Sequence, residues 1–337
     1  MSAEAVPAVS IVVCVYNGNR HLPRLVSYLE RQTFKDFEAV FVVDVRSTDD
    51  SIENVKKLCD EHDNYIFIEQ AEPSKLGGAK NLGIKGSKGR YIWFLDSDDT
   101  PSDTFLERMV AEKEKTGSDI ALANFRYIDN QTLDEGEGCE TISMTGKQAL
   151  HARSLNIIPV TSWAMLYDRK LIEGSGLEFR EMMAEDIIFS YVSLSESEKV
   201  CFLTAPLYGY FYYNQDSFCN AHADERGRSE MISYIELSKI FIDGGKYLQN
   251  RFCIIGMRSM IHMTLQGFKQ TINDPDLKKM IKEHGYTFTR IEHWGARHLP
   301  SLYHKLGNWY NRNYYTNVGK IYADDKKLKT LRKIVEN

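Results

Sequence analysis

The stretch RYIWFLDSDDTP, residues 90–101, decides the reading of this chain. Tyr91 to Leu95 form a short, unbroken apolar run with an aromatic and β-branched bias, the pattern of a strand buried on both faces of a sheet. The run stops at Asp96-Ser97-Asp98-Asp99. Three carboxylates at the end of a core strand repel one another and lose hydration, a combination tolerated chiefly where a cation compensates them. Hard oxygen ligands of this kind suit Mg2+ or Mn2+, with substrate phosphates completing the shell. Capping of a helix that begins near Pro101-Ser102-Asp103 accounts for one aspartate but not for three.

Working outward toward the N-terminus, residues 9–15 read as another buried strand, followed by a turn at Tyr16-Asn17-Gly18. Leu22, Leu25, Val26 and Leu29 give helical spacing over residues 20–32. A strand over 37–43 stops at Asp44, a capped helix follows Ser47-Thr48-Asp49, a third strand covers 65–69, and a glycine-rich segment enters a short helix over 77–84. Alternation of strand and helix implies an α/β domain with a mostly parallel sheet flanked by helices. In such sheets the ligand crevice lies beyond the carboxyl ends of the strands. Tyr16-Asn17, Asp44 and Asp96 to Asp99 all fall there, which places a phosphate-bearing, nucleotide-sized ligand over the sheet with a metal at Asp98.

That ordered set resembles glycosyltransferase family 2. The residues that carry the resemblance are Ser10-Ile11-Val12-Val13, Tyr16-Asn17, Gln32-Thr33, Glu38, Val43-Asp44, Ser47-Thr48-Asp49, Ala79-Lys80-Asn81 with Gly83, and Asp96-Ser97-Asp98-Asp99, with Glu185-Asp186 and Phe189 further on. The resemblance implies the GT-A fold, Rossmann-like, and an inverting transfer of sugar from a nucleotide sugar, usually a UDP-sugar, with Mn2+ or Mg2+ as cofactor. Position by position it implies that Val15, Tyr16, Asn17, Asp44, Arg46, Lys80, Asp96 and Ser97 hold the donor and that Asp98 ligates the metal. It further implies that Asp186 is the general base, with Glu185 beside it. The chemistry asks for these groups independently: a departing diphosphate gathers negative charge, and an attacking hydroxyl must lose a proton to a carboxylate. On spacing alone, Glu185-Asp186 also fits an ordinary first helical turn. Departures from the family pattern are Cys14, Val45-Arg46 in place of the frequent Asp-Gly, and Lys80 where Arg is more common. Arg46 is expected to alter base recognition or to reach a donor phosphate or a charged sugar.

Two competing readings belong beside this one. Asp96-Ser97-Asp98-Asp99-Thr100 also fits the DxDxT strand end of haloacid dehalogenase phosphohydrolases, although that motif normally opens its domain. A catalytically silent scaffold is the other, if Val45-Arg46 has cost the chain its donor.

Further along, a helix over 104–115 and a strand over 119–125 are expected, then a polar loop over 129–146 read as mobile. Trp163 lies in a segment resembling one that lines the acceptor site, where an exposed indole stacks on a sugar, though core packing suits it equally. His222 is read as structural, with metal ligation the lesser alternative. The domains expected are 1–222, catalytic, and 223–337, mainly helical and suited to docking, homo-oligomerisation or a membrane surface. From Lys278 onward there are 13 Lys and Arg against 5 Asp and Glu, interleaved with Trp and Tyr, a mixture that suits an anionic lipid surface or a solvated helical face equally.

With 26% charged residues and no apolar run of membrane-spanning length, the expectation is a cytoplasmic protein, peripheral at the inner face of the cell membrane. Its expected partners are a nucleotide-sugar donor and a glycan or lipid-linked acceptor of the cell envelope, not nucleic acid. The six scattered cysteines read as reduced thiols.

Overall fold

Apolar runs without alternation, such as Val9–Val15 and Phe37–Asp44, have both faces to bury, and they form the centre of a sheet. The structure, a computed structural model, describes residues 6–72, 74–129, 133–136, 138–159, 161–211, 222–241, 248, 251–252, 255–256, 263–283, 298–302, 305 and 320–336. In chain order the elements are β1 (Val9–Val15), α1 (Leu22–Arg31), β2 (Phe37–Asp44), α2 (Ser51–Glu61), β3 (Tyr65–Gln70), α3 (Leu76–Gly86), β4 (Tyr91–Phe94), β5 (Thr100–Pro101), α4 (Phe105–Thr116), β6 (Ile120–Ile128), β7 (Thr141–Thr145), α5 (Gly146–Ser154), β8 (Met165–Asp168), α6 (Arg169–Gly174), α7 (Asp186–Glu196) and β9 (Lys199–Phe211). Beyond these come α8 (Ala223–Ile240), α9 (Leu265–Asn273), α10 (Pro275–Glu283) and α11 (Asp325–Glu336).

The sheet runs β3-β2-β1-β4-β8-β6-β9-β5, with β7 paired to β9. Its first four strands are parallel, so β1, β2 and β4 end on one edge. Past β4 the ladders are antiparallel except β6 with β9. The loop expected over 129–146 therefore needs correcting: its last residues are β7, because Ile142 and Met144 alternate inward against β9.

Several residues of the family resemblance hold the sheet together. Glu38 is buried and accepts hydrogen bonds from Ser10 Oγ at 2.6 Å and from the Gly89 amide at 3.1 Å. A side chain at Gly89 would stand 2.5 Å from the Ser10 amide, so only glycine fits that approach. Gln32 bridges the Ser102 carbonyl and the Leu106 amide, tying the end of α1 to the start of α4. At Gly83 a β-carbon would lie 2.4 Å from Val12, and its absence lets α3 lie close on β1.

The chain divides into two units: Met1–Glu181 with Phe189–Tyr213 and Gly319–Asn337, and Met182–Ile188 with Asn214–Val318. This differs from a single cut at 222 in three places: Met182–Ile188 and residues 214–222 go to the second unit, and Gly319–Asn337 returns to the first. The return of Gly319–Asn337 has a clear cause. The buried amide of Asn124 exchanges hydrogen bonds with both the amide and the carbonyl of Ala323, Tyr322 stacks on Phe125 at 4.8 Å, and α11 packs on α5. In the second unit Met231, Ile235, Met263, Phe268 and Leu277 form a small core. The expectation for the aromatic, basic stretch rests mainly on residues 284–297 and 306–319, outside the described residues, as are Cys219 and Cys253. Among the described residues no helix is long and apolar enough to cross a membrane.

Candidate active site

Three turns meet the shared carboxyl edge of β1, β2 and β4. After β1, Tyr16 is 51% exposed and Asn17 takes a left-handed φ of 47°, which asparagine tolerates better than most residues. The second turn fixes the first: Asn17 Oδ1 accepts the Thr48 amide at 2.7 Å, the Gly18 amide donates to Ser51 Oγ at 3.0 Å, and the Asn19 amide donates to Asp49 Oδ2 at 3.0 Å. Ser47, Thr48 and Asp49, read in sequence as a helix start and as part of the family resemblance, thus brace the two turns against each other.

At the end of β2, Asp44 is buried and gripped by Arg46. The Arg46 amide donates to Asp44 Oδ1 at 2.8 Å and its Nε to the same oxygen at 2.9 Å, while Nη2 bonds to Oδ2 and also donates to the Ser74 carbonyl at 2.9 Å. The Arg46 hydrogen bonds hold the Asp44 carboxyl below the usual carboxylate range, against the opposing effect of burial.

At the end of β4, Asp96, Ser97 and Asp98 are partly buried and Asp99 fully so. Asp99 accepts the Phe211 amide at 2.9 Å, yet burial pushes its carboxyl well above the usual range, and the charges of Asp98 and Asp96 add to the push. The negative potential of this turn is therefore felt by its own members. Arg24 reaches it, donating from Nη2 to the Asp98 carbonyl, while its buried Nε has no hydrogen-bond partner among the described residues. His21 also senses Asp98, although burial keeps its imidazole below the ordinary pKa. Neither Arg24 nor His21 was legible as a site residue, because on a helix start they read as an ordinary solvated face.

These carboxylates fit a hard divalent cation in kind and in charge. Among the described residues no three acidic, histidine or cysteine side chains form a ready cage. Mg2+-type sites take one or two carboxylates and complete their shell with water and substrate phosphate.

Lys80 lies on α3 and is buried. Its ammonium donates to Ser162 Oγ at 3.0 Å and sits 5.2 Å from the Phe179 ring centroid and 5.8 Å from that of Phe94. Of the two readings of Trp163, the structure corrects the exposed stacking surface and meets the alternative, core packing. Trp163 is 5% exposed, stacked on Tyr208 at 4.4 Å and on Tyr210 at 5.4 Å, with Phe125 set edge-on at 4.9 Å. Its carbonyl accepts the Trp93 indole N–H at 2.7 Å, so its segment fastens the core instead of offering a ring face.

Asp186 is the first residue of α7 and Glu185, just before it, is buried. Ala184 precedes them with φ of 54°, a left-handed conformation that costs an alanine on the order of 1 kcal/mol and that tends to persist where the surroundings require it. Both carboxylates fall in the second unit, and the acidic turn of β4 falls in the first. His222 stands immediately before α8.

A cleft of about 810 Å3 lined by Arg126, Glu140, Thr204, Lys320 and Asp324, among others, shares no residue with these turns. It belongs to the junction where residues 320–328 return to the sheet.

Residues 10–175 match the family model described as "Glycosyl transferase family 2". An uncharacterized glycosyltransferase, EpsJ of Bacillus subtilis (strain 168), is 32% identical over 215 residues, 61% of this chain and 61% of the relative. The glycosyltransferase GlyA of Streptococcus pneumoniae serotype 4 is 27% identical over 60% of this chain but only 30% of its own length. The chain thus spans less than two thirds of these curated relatives. Among solved structures, S. aureus TarS 1-349 in complex with UDP-GlcNAc aligns over 90% of this chain and 92% of its own, with a TM-score of 0.61 at 17% identity. The mannosyltransferase PcManGT of Pyrobaculum calidifontis, in complex with GDP-Man and Mn2+, aligns over 91% and 88% with a TM-score of 0.55 at 12% identity. At such identities the likeness shows the fold, which is the GT-A arrangement that the sequence resemblance implied.

Proposed function

Residues 10–175 belong to glycosyltransferase family 2, and from that premise we propose that this protein is a metal-dependent, inverting glycosyltransferase. It transfers a sugar from a UDP-sugar to a hydroxyl of a cell-envelope polysaccharide or a lipid-linked acceptor. The observation that carries the reading is the acidic turn of β4, where Asp96, Asp98 and Asp99 stand together at the end of a core strand and burial, with the charges of Asp98 and Asp96 added, raises the Asp99 pKa. Such a turn is suited to a cation that arrives with a diphosphate. The binding of UDP-GlcNAc by TarS and of GDP-Man with Mn2+ by PcManGT supports it.

Asp98 would hold the cation, and Asp96 and Ser97 would border the ribose. When bound, a divalent cation stabilises the charge that develops on the departing diphosphate. Arg24 and the buried Lys80 ammonium add positive charge on this edge. Asp186, carrying its carboxylate at the start of α7, takes the proton of the attacking hydroxyl. Direct displacement on the face opposite the diphosphate turns an α-linked donor into a β-linked product.

The phosphohydrolase reading is disfavoured because three strands precede β4, whereas that chemistry places its nucleophile on the strand that opens the domain. The membrane-facing role of the region after Lys278 is proposed only as an accessory, suited by its charge. Incubation with a panel of nucleotide sugars and Mn2+ tests the whole. Release of a nucleoside diphosphate supports transfer, phosphate release from simple esters would replace it with hydrolysis, and silence without nucleotide binding would leave a scaffold.

A further inference from the structure

The end of β2 carries information that the proposed activity does not use. A carboxylate can only accept hydrogen bonds, so an open aspartate at a base-binding position selects a nucleobase by one of its N–H groups. Asp44 is not open. Its side chain is 9% exposed, Oδ1 already accepts both the Arg46 amide and Arg46 Nε, and Oδ2 accepts the Arg46 guanidinium. Arg46 is itself 50% exposed. Its Nε and Nη2 are spent on Asp44 and on the Ser74 carbonyl, while Nη1 has no partner among the described residues. Tyr16, exposed just past the end of the adjacent strand, lies near Arg46.

We propose that Arg46 is a specificity-determining residue: it closes Asp44 off, so that uracil is read through its carbonyl acceptors by a guanidinium N–H instead of through its ring N–H by a carboxylate. The inference rests on the donor-site reading above. It also fits the charge of the ligand, since the Arg46–Asp44 pair is neutral overall and a bare carboxylate would add repulsion to a diphosphate donor. The N3–H of uracil then has no assigned acceptor, and its loss costs little.

Calorimetric titration of the full chain in MnCl2 with UDP and with 3-methyluridine diphosphate tests this directly. The methyl group removes the ring N–H and adds bulk, so tolerance of it is informative. The wild type is expected to bind the two within about threefold, whereas Arg46→Ala, with Asp44 uncovered, should prefer UDP by about tenfold or more, the scale of one hydrogen bond to a charged group. Rejection of the methylated nucleotide by wild type, or equal tolerance in Arg46→Ala, would overturn the assignment of Arg46. Failure of the wild type to bind either nucleotide would remove the donor site itself, and this inference with it.

Discussion

The ends of β2 and β4 lie on the same edge of the sheet, one on each side of β1, and both finish in aspartate. They solve the problem of buried negative charge in opposite ways. Asp44 carries its own cation two residues away, and the resulting pair is electrically closed. The turn from Asp96 to Asp99 concentrates three carboxylates, and Asp99 has a raised pKa, through its burial first and the charges of Asp98 and Asp96 second. A charge that is internally paired is suited to discriminate, because it needs nothing from outside to be stable. A cluster that stays under-compensated is suited to recruit, because an incoming cation relieves it.

The sharpest way to break this contrast is at Asp98. Asp98→Ala should weaken Mn2+-dependent UDP binding on the order of 100-fold or more, since it removes the proposed metal ligand. Calorimetry with and without Mn2+ reads this, and wild-type affinity would end the recruiting role of the β4 turn. Next, Asp186→Asn should leave UDP binding within about twofold while slowing transfer by about 100-fold or more, the usual contribution of a general base. An active variant would mean that another group takes the proton. The smallest effect belongs to the closed end. Arg46→Ala should lower the urea midpoint slightly at neutral pH, because an exposed partner contributes little. The Asp44 carboxyl is depressed in the folded protein, so the pair's contribution is present above the ordinary carboxylate pKa and is lost as pH falls through the depressed value. The gap between the two proteins should therefore close in acid, and a gap independent of pH would show that Arg46 acts by packing alone.

The sheet edge was legible because it rests on local signals: unbroken apolar runs, each ending at a polar turn. Residues such as Glu38, Gln32 and Gly83 were legible only as members of a resemblance, and the structure gives them structural work as a buried acceptor, a bridge between helices and a point of close approach. Trp163 misled because a tryptophan's sequence neighbours do not reveal what covers its faces, and here Tyr208 and Tyr210 arrive from β9. Arg24 was missed because its partner, the Asp98 carbonyl, lies 74 positions away. Arg46 stood out by departing from the family, yet only side-chain geometry shows that its guanidinium is turned onto Asp44.

The return of residues 320–323 to β6 also sets the order in which the protein can be made. Asn124 leaves the ribosome 199 positions before Ala323, the residue that satisfies both sides of its buried amide. From the end of β9 until Gly319 emerges, the first unit lacks only its last segment, and the far half of β6 is without the residue that joins it through Arg126 and Ile321. An incomplete strand edge is a template for unwanted pairing. The nascent chain must therefore thread out the whole second unit before the sheet can be sealed, and a truncation ahead of residue 319 removes a piece of the first unit as surely as it shortens the second.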